Sequence, residues 1–158
     1  MNSRTEQLPA RFTAADAATV ATQCTCLRLR RITRKVTQRY DEWLAPTGLR
    51  STQFSLLGML HAPGEVSIST LAARMDIDRT TLTRNLQLLA EQRLVAIGDG
   101  PDARSRTVSL TRKGRQIFER ALPLWHKAQD EVNAKLGDQG VARLHETLQR
   151  AMTRLGET

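Results

Sequence analysis

"DIDRTTLTRNLQLLAEQRLVAIGDGPDARSRTVSLT", residues 76–111, decides the fold. Leu82, Leu86 and Leu89 recur at helical spacing and predict a helix over about Arg79–Gln92. Asp78 stands where its carboxylate can accept from the exposed amides of that helix's first turn. Just upstream, Leu71, Ala72 and Met75 form a shorter apolar face over about Thr70–Met75, and Ile77 lies in the intervening turn "DID". Two short amphipathic helices meeting across a tight corner are a helix-turn-helix. Downstream, "LVAI" and "TVSL" read as two strands around the loop "GDGPDARSR", a β-hairpin. A hairpin placed directly after the second helix is a wing.

The polar residues of this stretch point to chemistry. With the leucine stripe turned inward, about 100° per residue puts Thr80, Arg84, Gln87 and Glu91 on the opposite side, with Thr81 and Thr83 on the flanks. Arg suits guanine O6 and N7, Gln suits adenine N6 and N7, and Thr offers a methyl or a hydroxyl. The candidate DNA-reading set is therefore Arg79, Thr80, Thr81, Thr83, Arg84 and Gln87. An ordinary solvated helix face would be polar as well, so the hairpin matters. Between Asp102 and Arg115 stand five basic residues, Arg104, Arg106, Arg112, Lys113 and Arg115, and Gly98, Gly100 and Pro101 give the loop a slender tip. An arginine tip fits a narrow minor groove. Asp102, Arg104 and Arg106 are the wing candidates, with Asp102 placed to brace Arg104. A charged solvated loop explains any one of these arginines, but poorly explains their combination with the helix and the net charge.

Composition sets the outer bounds. A chain of 158 residues suits one domain with extensions. Lys and Arg number 24 against 16 Asp and Glu, a net charge of +8 that favours a polyanionic partner, nucleic acid before membrane. Aromatic residues make up 4%, too few to stack successive bases of a single strand. No apolar run approaches the roughly 20 residues of a membrane span, and "MNSRTEQLPARFTAADAA" lacks the apolar core of a signal peptide. Two cysteines cannot make a disulfide framework, so a reducing cytoplasm is expected. His61, His126 and His145 are scattered without metal-ligand spacing, and neither a metal nor a cofactor is expected.

The remaining elements are helical. Residues 1–12 read as a loose N-terminus. From Thr13 to Leu44 there is no Pro or Gly, and Leu29, Ile32, Val36, Tyr40 and Trp43 predict one long helix, with or without a short leader, ended by "APTG", giving an N-terminal dimerisation helix over 13–45. Ser51 is expected to cap a second helix carrying Phe54, Leu57 and Leu60; it opens a winged helix-turn-helix domain over 46–111. Thr111 is expected to cap a helix over about Arg112–Leu136, interrupted by Pro123, before a last helix lined by Val141, Leu144, Leu148 and Leu155; these are the dimerisation helices of 112–158. The expected fold is mainly α, a winged helix-turn-helix with a two-stranded β wing plus a helical dimerisation region, in the order α-α-α-α-ββ-α-α. Leu122, Trp125, Val132, Leu144, Leu148 and Leu155 would stay wet in a monomer, which predicts a homodimer with its two reading helices roughly 34–36 Å apart. Intramolecular bundling of the three long helices is the competing arrangement.

Two further stretches stand out. "RLRRITRKVTQR", residues 28–39, carries six cations and no acid; it reads as a solvated helix face pairing with acids of the dimer helices, or as a phosphate or anion contact. In "CTC", Cys24 and Cys26 would point some 200° apart on a helix, so neither can bridge to the other without unwinding. Thiol oxidation beside Arg28 and simple apolar filling of a helix interface are both open.

Residues from about 25 to 155 resemble the multiple-antibiotic-resistance regulator (MarR) family of winged-helix transcription factors. The resemblance rests on "GLRSTQFSLLGML", "SISTLAARMDIDRTTLTRNLQLLAEQRLV" and "GPDARSRTVSLTRKGR", of which the last two together are specific. It implies an obligate homodimer on pseudo-palindromic double-stranded DNA, usually a repressor released by a small molecule or by oxidation. It puts the recognition helix on Arg79–Gln92 and the wing arginine on Arg104, with Asp102 as its companion. The wing departs from the fuller acidic-basic cluster often found there, and Pro123 lies inside the helix that links the DNA-binding and dimer lobes. The resemblance also implies a pocket between those lobes, where Tyr40, Trp43, Phe54 and Trp125 would line the walls and Arg39 or His61 would hold an anionic aromatic effector. Core packing is the other role open to those aromatics. Two other functions compete: a thiol-based redox protein using Cys24 or Cys26, which lacks a Cys-x-x-Cys helix start and an acid/base set, and a winged-helix module without sequence preference.

Overall fold

The computed structural model describes residues 13–61, 64–100 and 105–156. Its elements are α1 (Ala14–Gln23), α2 (Thr25–Leu44), a 3-10 turn (Ala45–Thr47), α3 (Ser51–Met59), β1 (Val66–Ser67), α4 (Ile68–Met75), α5 (Arg79–Glu91), β2 (Val95–Asp99), β3 (Arg106–Leu110), α6 (Arg112–Leu136) and α7 (Asp138–Gly156). They fall into two units that divide within α2, after Val36. Among the described residues no helix is long and apolar enough to cross a membrane.

In the N-terminal unit the expected long helix, with a short leader as the other option, is two: a leader helix and a longer one. α1 opens on a capping box, with Thr13 Oγ1 accepting from the Asp16 N–H at 3.2 Å and Asp16 Oδ2 accepting from the Thr13 N–H at 2.9 Å. The chain then breaks at Cys24, whose backbone is extended (φ −65°, ψ 109°). Side chains hold the break. The Cys24 sulfur accepts from the Leu27 N–H at 3.4 Å, capping the start of α2. Arg28 donates from Nε at 3.0 Å to the Thr22 carbonyl left over at the end of α1. No proline or glycine announces this break, which is why periodicity alone reads through it.

The second unit contains the core. Gly48 (φ 73°) closes the turn after α2 in the left-handed conformation, a position that favours glycine. Ser51 is the first residue of α3 and does not cap it. The free amides there are taken instead by Gln53 Oε1, accepting from the Arg50 N–H at 2.9 Å, and by Asp41 Oδ1 on α2, accepting from the Ser51 N–H at 2.7 Å. α4 begins at Ile68 with Ser67 Oγ accepting from the Thr70 N–H at 3.0 Å. Leu71 on α4, Leu57 on α3, Leu82, Leu86 and Leu89 on α5 and Val108 on β3 are sealed from solvent in one cluster. Fully burying each such side chain contributes about 1.5–3 kcal/mol.

The sheet is antiparallel in the order β1-β3-β2, so the wing hairpin carries a third strand. β2 pairs with β3 from Val95↔Leu110 to Asp99↔Arg106, and β1 adds Val66↔Val108 and Ser67↔Thr107. Two residues are too few to show alternation, so β1 exists only through its partner. Thr111 Oγ1 accepts from the Gly114 N–H at 2.9 Å and caps α6 as expected. α6 continues through Pro123 to Leu136, where Gly137 (φ 70°) ends it, and α7 follows without one buried residue.

Candidate nucleic-acid interface

α5 is set by its two ends and its buried stripe. At the start, Asp78 Oδ1 accepts from the Thr81 N–H at 2.8 Å; hydrogen bonding from the Thr81 side chain first, and from this N–H second, holds the Asp78 carboxyl below its ordinary value. At the end, Arg93 takes the left-handed conformation (φ 58°) and the Leu94 N–H donates back to the Leu89 carbonyl at 2.9 Å. Lys113 Nζ then donates to the Gln92 carbonyl at 2.9 Å, placing a cation at the negative end of the helix dipole. Thr111 Oγ1 donates to the Arg93 carbonyl at 2.7 Å. The start of α6 thus clamps the turn between the helix and the wing.

Between these ends, Leu82, Leu86 and Leu89 are 0% exposed and fix the rotation of α5 about its axis. Arg79, Thr80, Thr81, Arg84 and Gln87 are all exposed, while Thr83 is half-buried. The Thr83 hydroxyl donates to the Arg79 carbonyl at 2.7 Å, so its proton is already used. Leu88 is 49% exposed on the same outer side, an apolar surface that the charge-led reading of the helix passed over. Toward the helix end the outer face also carries Glu91, which suits phosphate poorly, so the basic and hydroxyl groups concentrate in the N-terminal part.

In the wing, Arg106 and Asp99 are register partners across β2 and β3, and Arg106 Nη1 lies 2.8 Å from Asp99 Oδ1. Asp99 was not among the expected wing residues, yet it is the acid that orients Arg106. Thr107 Oγ1 donates to Glu65 Oε2 at 2.8 Å, tying the hairpin to the segment before β1. The Gly100 N–H donates to the Ser105 carbonyl at 2.9 Å at the base of the loop. Asp102 and Arg104 lie outside the described residues.

The six candidate effector residues form two groups along α6. Phe54 is buried and stacks between Phe118 (ring centroids 4.9 Å) and Trp125 (5.9 Å), with His61 tilted against Phe118 at 5.1 Å. Phe118, the centre of that group, was not singled out by sequence because it looks like any core aromatic. In the second group, the Tyr40 hydroxyl donates to Gln129 Oε1 at 2.6 Å, and Trp43 Nε1 donates to Glu131 Oε2 at 2.8 Å. Arg39 Nη1 donates to Glu42 at 2.8 Å, and its Nε lies 4.0 Å from Glu131 Oε1. Burial pushes the Tyr40 phenol up, whereas hydrogen bonds from Trp43 and then Lys135 hold the Glu131 carboxyl down. Cys24 is half-buried and Cys26 exposed, both as free thiols on the N-terminal unit.

A stripe-locked helix with a polar outer face, followed at once by a three-stranded wing, defines a winged helix-turn-helix. The MarR family profile matches residues 47–105, the segment from the turn before α3 into the wing. The chain is 39% identical to the Mycobacterium tuberculosis transcriptional regulator MosR, solved in complex with DNA; the match covers 82% of this chain and 98% of MosR with a TM-score of 0.69. It is 25% identical to CouR of Rhodococcus jostii RHA1, solved bound to p-coumaroyl-CoA, over 77% of this chain and 86% of CouR, with a TM-score of 0.65. An uncharacterized HTH-type transcriptional regulator of Bacillus subtilis, YwoH, is 27% identical over 106 residues, 67% of this chain and 77% of YwoH. The chain belongs to the MarR family of transcriptional regulators, not to a family of enzymes.

Proposed function

We propose that this chain is a cytoplasmic, sequence-specific repressor that binds double-stranded DNA as a homodimer. One observation carries the reading: Thr80, Thr81, Arg84 and Gln87 stand exposed on the side of α5 opposite a stripe with no solvent exposure. Arg79 and the half-buried Thr83 flank that set. Arg and Gln supply the bidentate donors and acceptors that separate guanine from adenine in the major groove, and the threonines add methyl and hydroxyl contacts. Arg106, steered by Asp99, follows along the wing, and Asp102 and Arg104 complete it by sequence position. The DNA-bound MosR supports a duplex as the partner.

Dimerisation is supported by surface that a single chain leaves wet. On α7, Leu148, Met152 and Leu155 are 38%, 62% and 82% exposed. Pairing of two copies through terminal helices would cover such residues and set two half-sites one helical turn apart.

Release from DNA is assigned to a small effector or to thiol oxidation. CouR with p-coumaroyl-CoA supports the first. The two aromatic groups on α6 are the candidate walls, with Arg39 and His61 as the candidate anion contacts. Cys24 and Cys26 are the candidates for the second, since both thiols are free and the Cys24 sulfur caps a helix break that oxidation would disturb. A footprint of the purified full chain on the DNA upstream of its own coding region tests the whole reading. The expected result is a protected pseudo-palindrome, lost on adding either peroxide or an aromatic acid thioester. Equal protection of random DNA would instead make the chain a winged-helix module without sequence preference.

A further inference from the structure

Four cations that the winged helix does not use stand together on α2. Arg30, Arg31, Arg34 and Lys35 fall within six consecutive residues and all are exposed. None of them has an ion-pair partner among the described residues, where the pairs formed involve Arg39, Arg50, Arg106, Lys135 and Arg150. Their flanking cations are engaged: Arg28 donates to the Thr22 carbonyl and Arg39 to Glu42. At about 100° per residue the four share one flank of the helix, nearly opposite the stripe of Leu29, Ile32 and Val36. The centres of the stripe and of the cation set therefore face different ways, with Lys35 nearest the stripe.

Like charges three and four residues apart repel on a helix. Arg30 with Arg34, Arg31 with Lys35, and Arg31 with Arg34 are such pairs, and no Asp or Glu lies between Asp16 and Asp41 to offset them. An external anion relieves this arrangement. A second copy of the chain offers little, because cations outnumber acids on both terminal helices: α7 carries Arg143, Arg150 and Arg154 against Asp138 and Glu146, and α6 carries six cations against Glu119, Asp130 and Glu131. Glu131 on α6 is already taken by Trp43 and Lys135. A duplex offers a regular row of phosphates, one for about every 3.4 Å of duplex axis on each strand. The cations span about 7.5 Å of helix axis, long enough to face two phosphates, and three of the four carry the guanidinium fork that binds phosphate in pairs of hydrogen bonds.

We propose that the Arg30, Arg31, Arg34 and Lys35 flank of α2 is a second DNA-contacting surface that holds the phosphate backbone of a duplex without reading bases. The proposal rests on the reading of this chain as a duplex binder, and adds a sequence-independent share of its affinity.

The test compares the full-length protein with its Arg30→Gln/Arg31→Gln/Arg34→Gln/Lys35→Gln variant on a random-sequence duplex and on the footprinted duplex across a salt series. The log–log salt slope should become shallower by about one unit for each phosphate neutralised, an expected loss of about two units. The loss should be equal on both duplexes, leaving the preference between them unchanged. An Arg30→Lys/Arg31→Lys/Arg34→Lys variant should keep the original slope; if it loses the slope as well, the effect is structural and the proposal falls. Parallel slopes for wild type and the Gln variant overturn it. So do parallel slopes accompanied by loss of the dimer in sedimentation, which would assign the face to a second copy. Parallel slopes with lost binding to phosphatidylserine vesicles would assign it to a membrane and overturn it equally. Absence of any preferred duplex would defeat the repressor reading alone, since the random-duplex slopes still decide this one.

Discussion

Gly114 is where a missing methyl group brings two distant segments together. It is buried in the first turn of α6, and a Cβ there would run into the Leu94 carbonyl oxygen. That carbonyl also accepts from the Thr111 N–H at 3.1 Å, so the backbone cannot simply move aside. Replacing Gly by Ala in a helix ordinarily gains up to about 1 kcal/mol in propensity, but a collision with backbone costs about 1–3 kcal/mol or more. Gly114→Ala should therefore lower the urea midpoint with the slope unchanged. The sequence shows only a poor helix former in "TRKGR", because the reason for it lies on another element. Asp78 is the opposite case, a cap whose partner is three residues away and whose role was legible. Its carboxyl titrates below the ordinary 3.8 in the folded chain, so its contribution is complete above that value and disappears as pH falls through the lowered one. The stability difference between wild type and Asp78→Asn should be flat at neutral pH and change only in that acid window; a change centred near pH 6 would assign it to another group.

At the scale of elements, α5 tests whether exposure means recognition. Arg84→Ala should leave the thermal midpoint near that of the wild type and relax preference at one base position by about 1–3 kcal/mol. Equal losses on operator and random DNA would remove Arg84 from base reading. Leu86→Ala, on the fully buried side of the same helix, should instead cost about 2–5 kcal/mol of stability through the cavity it leaves. Opposite sides of one helix thus give separable phenotypes. The bounds of α5 were read to within a residue because a repeating stripe, an acid cap and a following strand all agree. The break at Cys24 was not, since a sulfur and an arginine make it without proline or glycine. Nor was the cap of α3, which Asp41 supplies from the preceding helix while the serine in the cap-like position is simply its first residue.

For the whole molecule, the decisive property is what the exposed apolar surface of α7 does. Leu148→Glu/Met152→Glu alters two side chains that are exposed in the single chain, so the winged helix should still melt as a folded unit. Under the dimer reading, the variant should sediment as a monomer and bind the footprinted duplex far more weakly than the wild type. A wild type that is already monomeric at the concentrations where it binds would defeat that reading. The wing shows the same division between local and long-range information: Gly98, Gly100 and the two strands were legible, but the steering of Arg106 by Asp99 and the tie from Thr107 to Glu65 were not. By itself the sequence determined the helix-turn-helix, the hairpin after it, the caps at Asp78 and Thr111 and the basic character of the chain. Each is written in spacings that repeat over a few residues or in a sum over all of them. Only the tertiary structure decided that Phe54 stacks on Phe118, that Trp43 and Tyr40 find Glu131 and Gln129, and that Val66 and Ser67 become a strand. Those depend on single atoms meeting across long stretches of chain, and no local pattern encodes which distant partner will arrive within three ångströms.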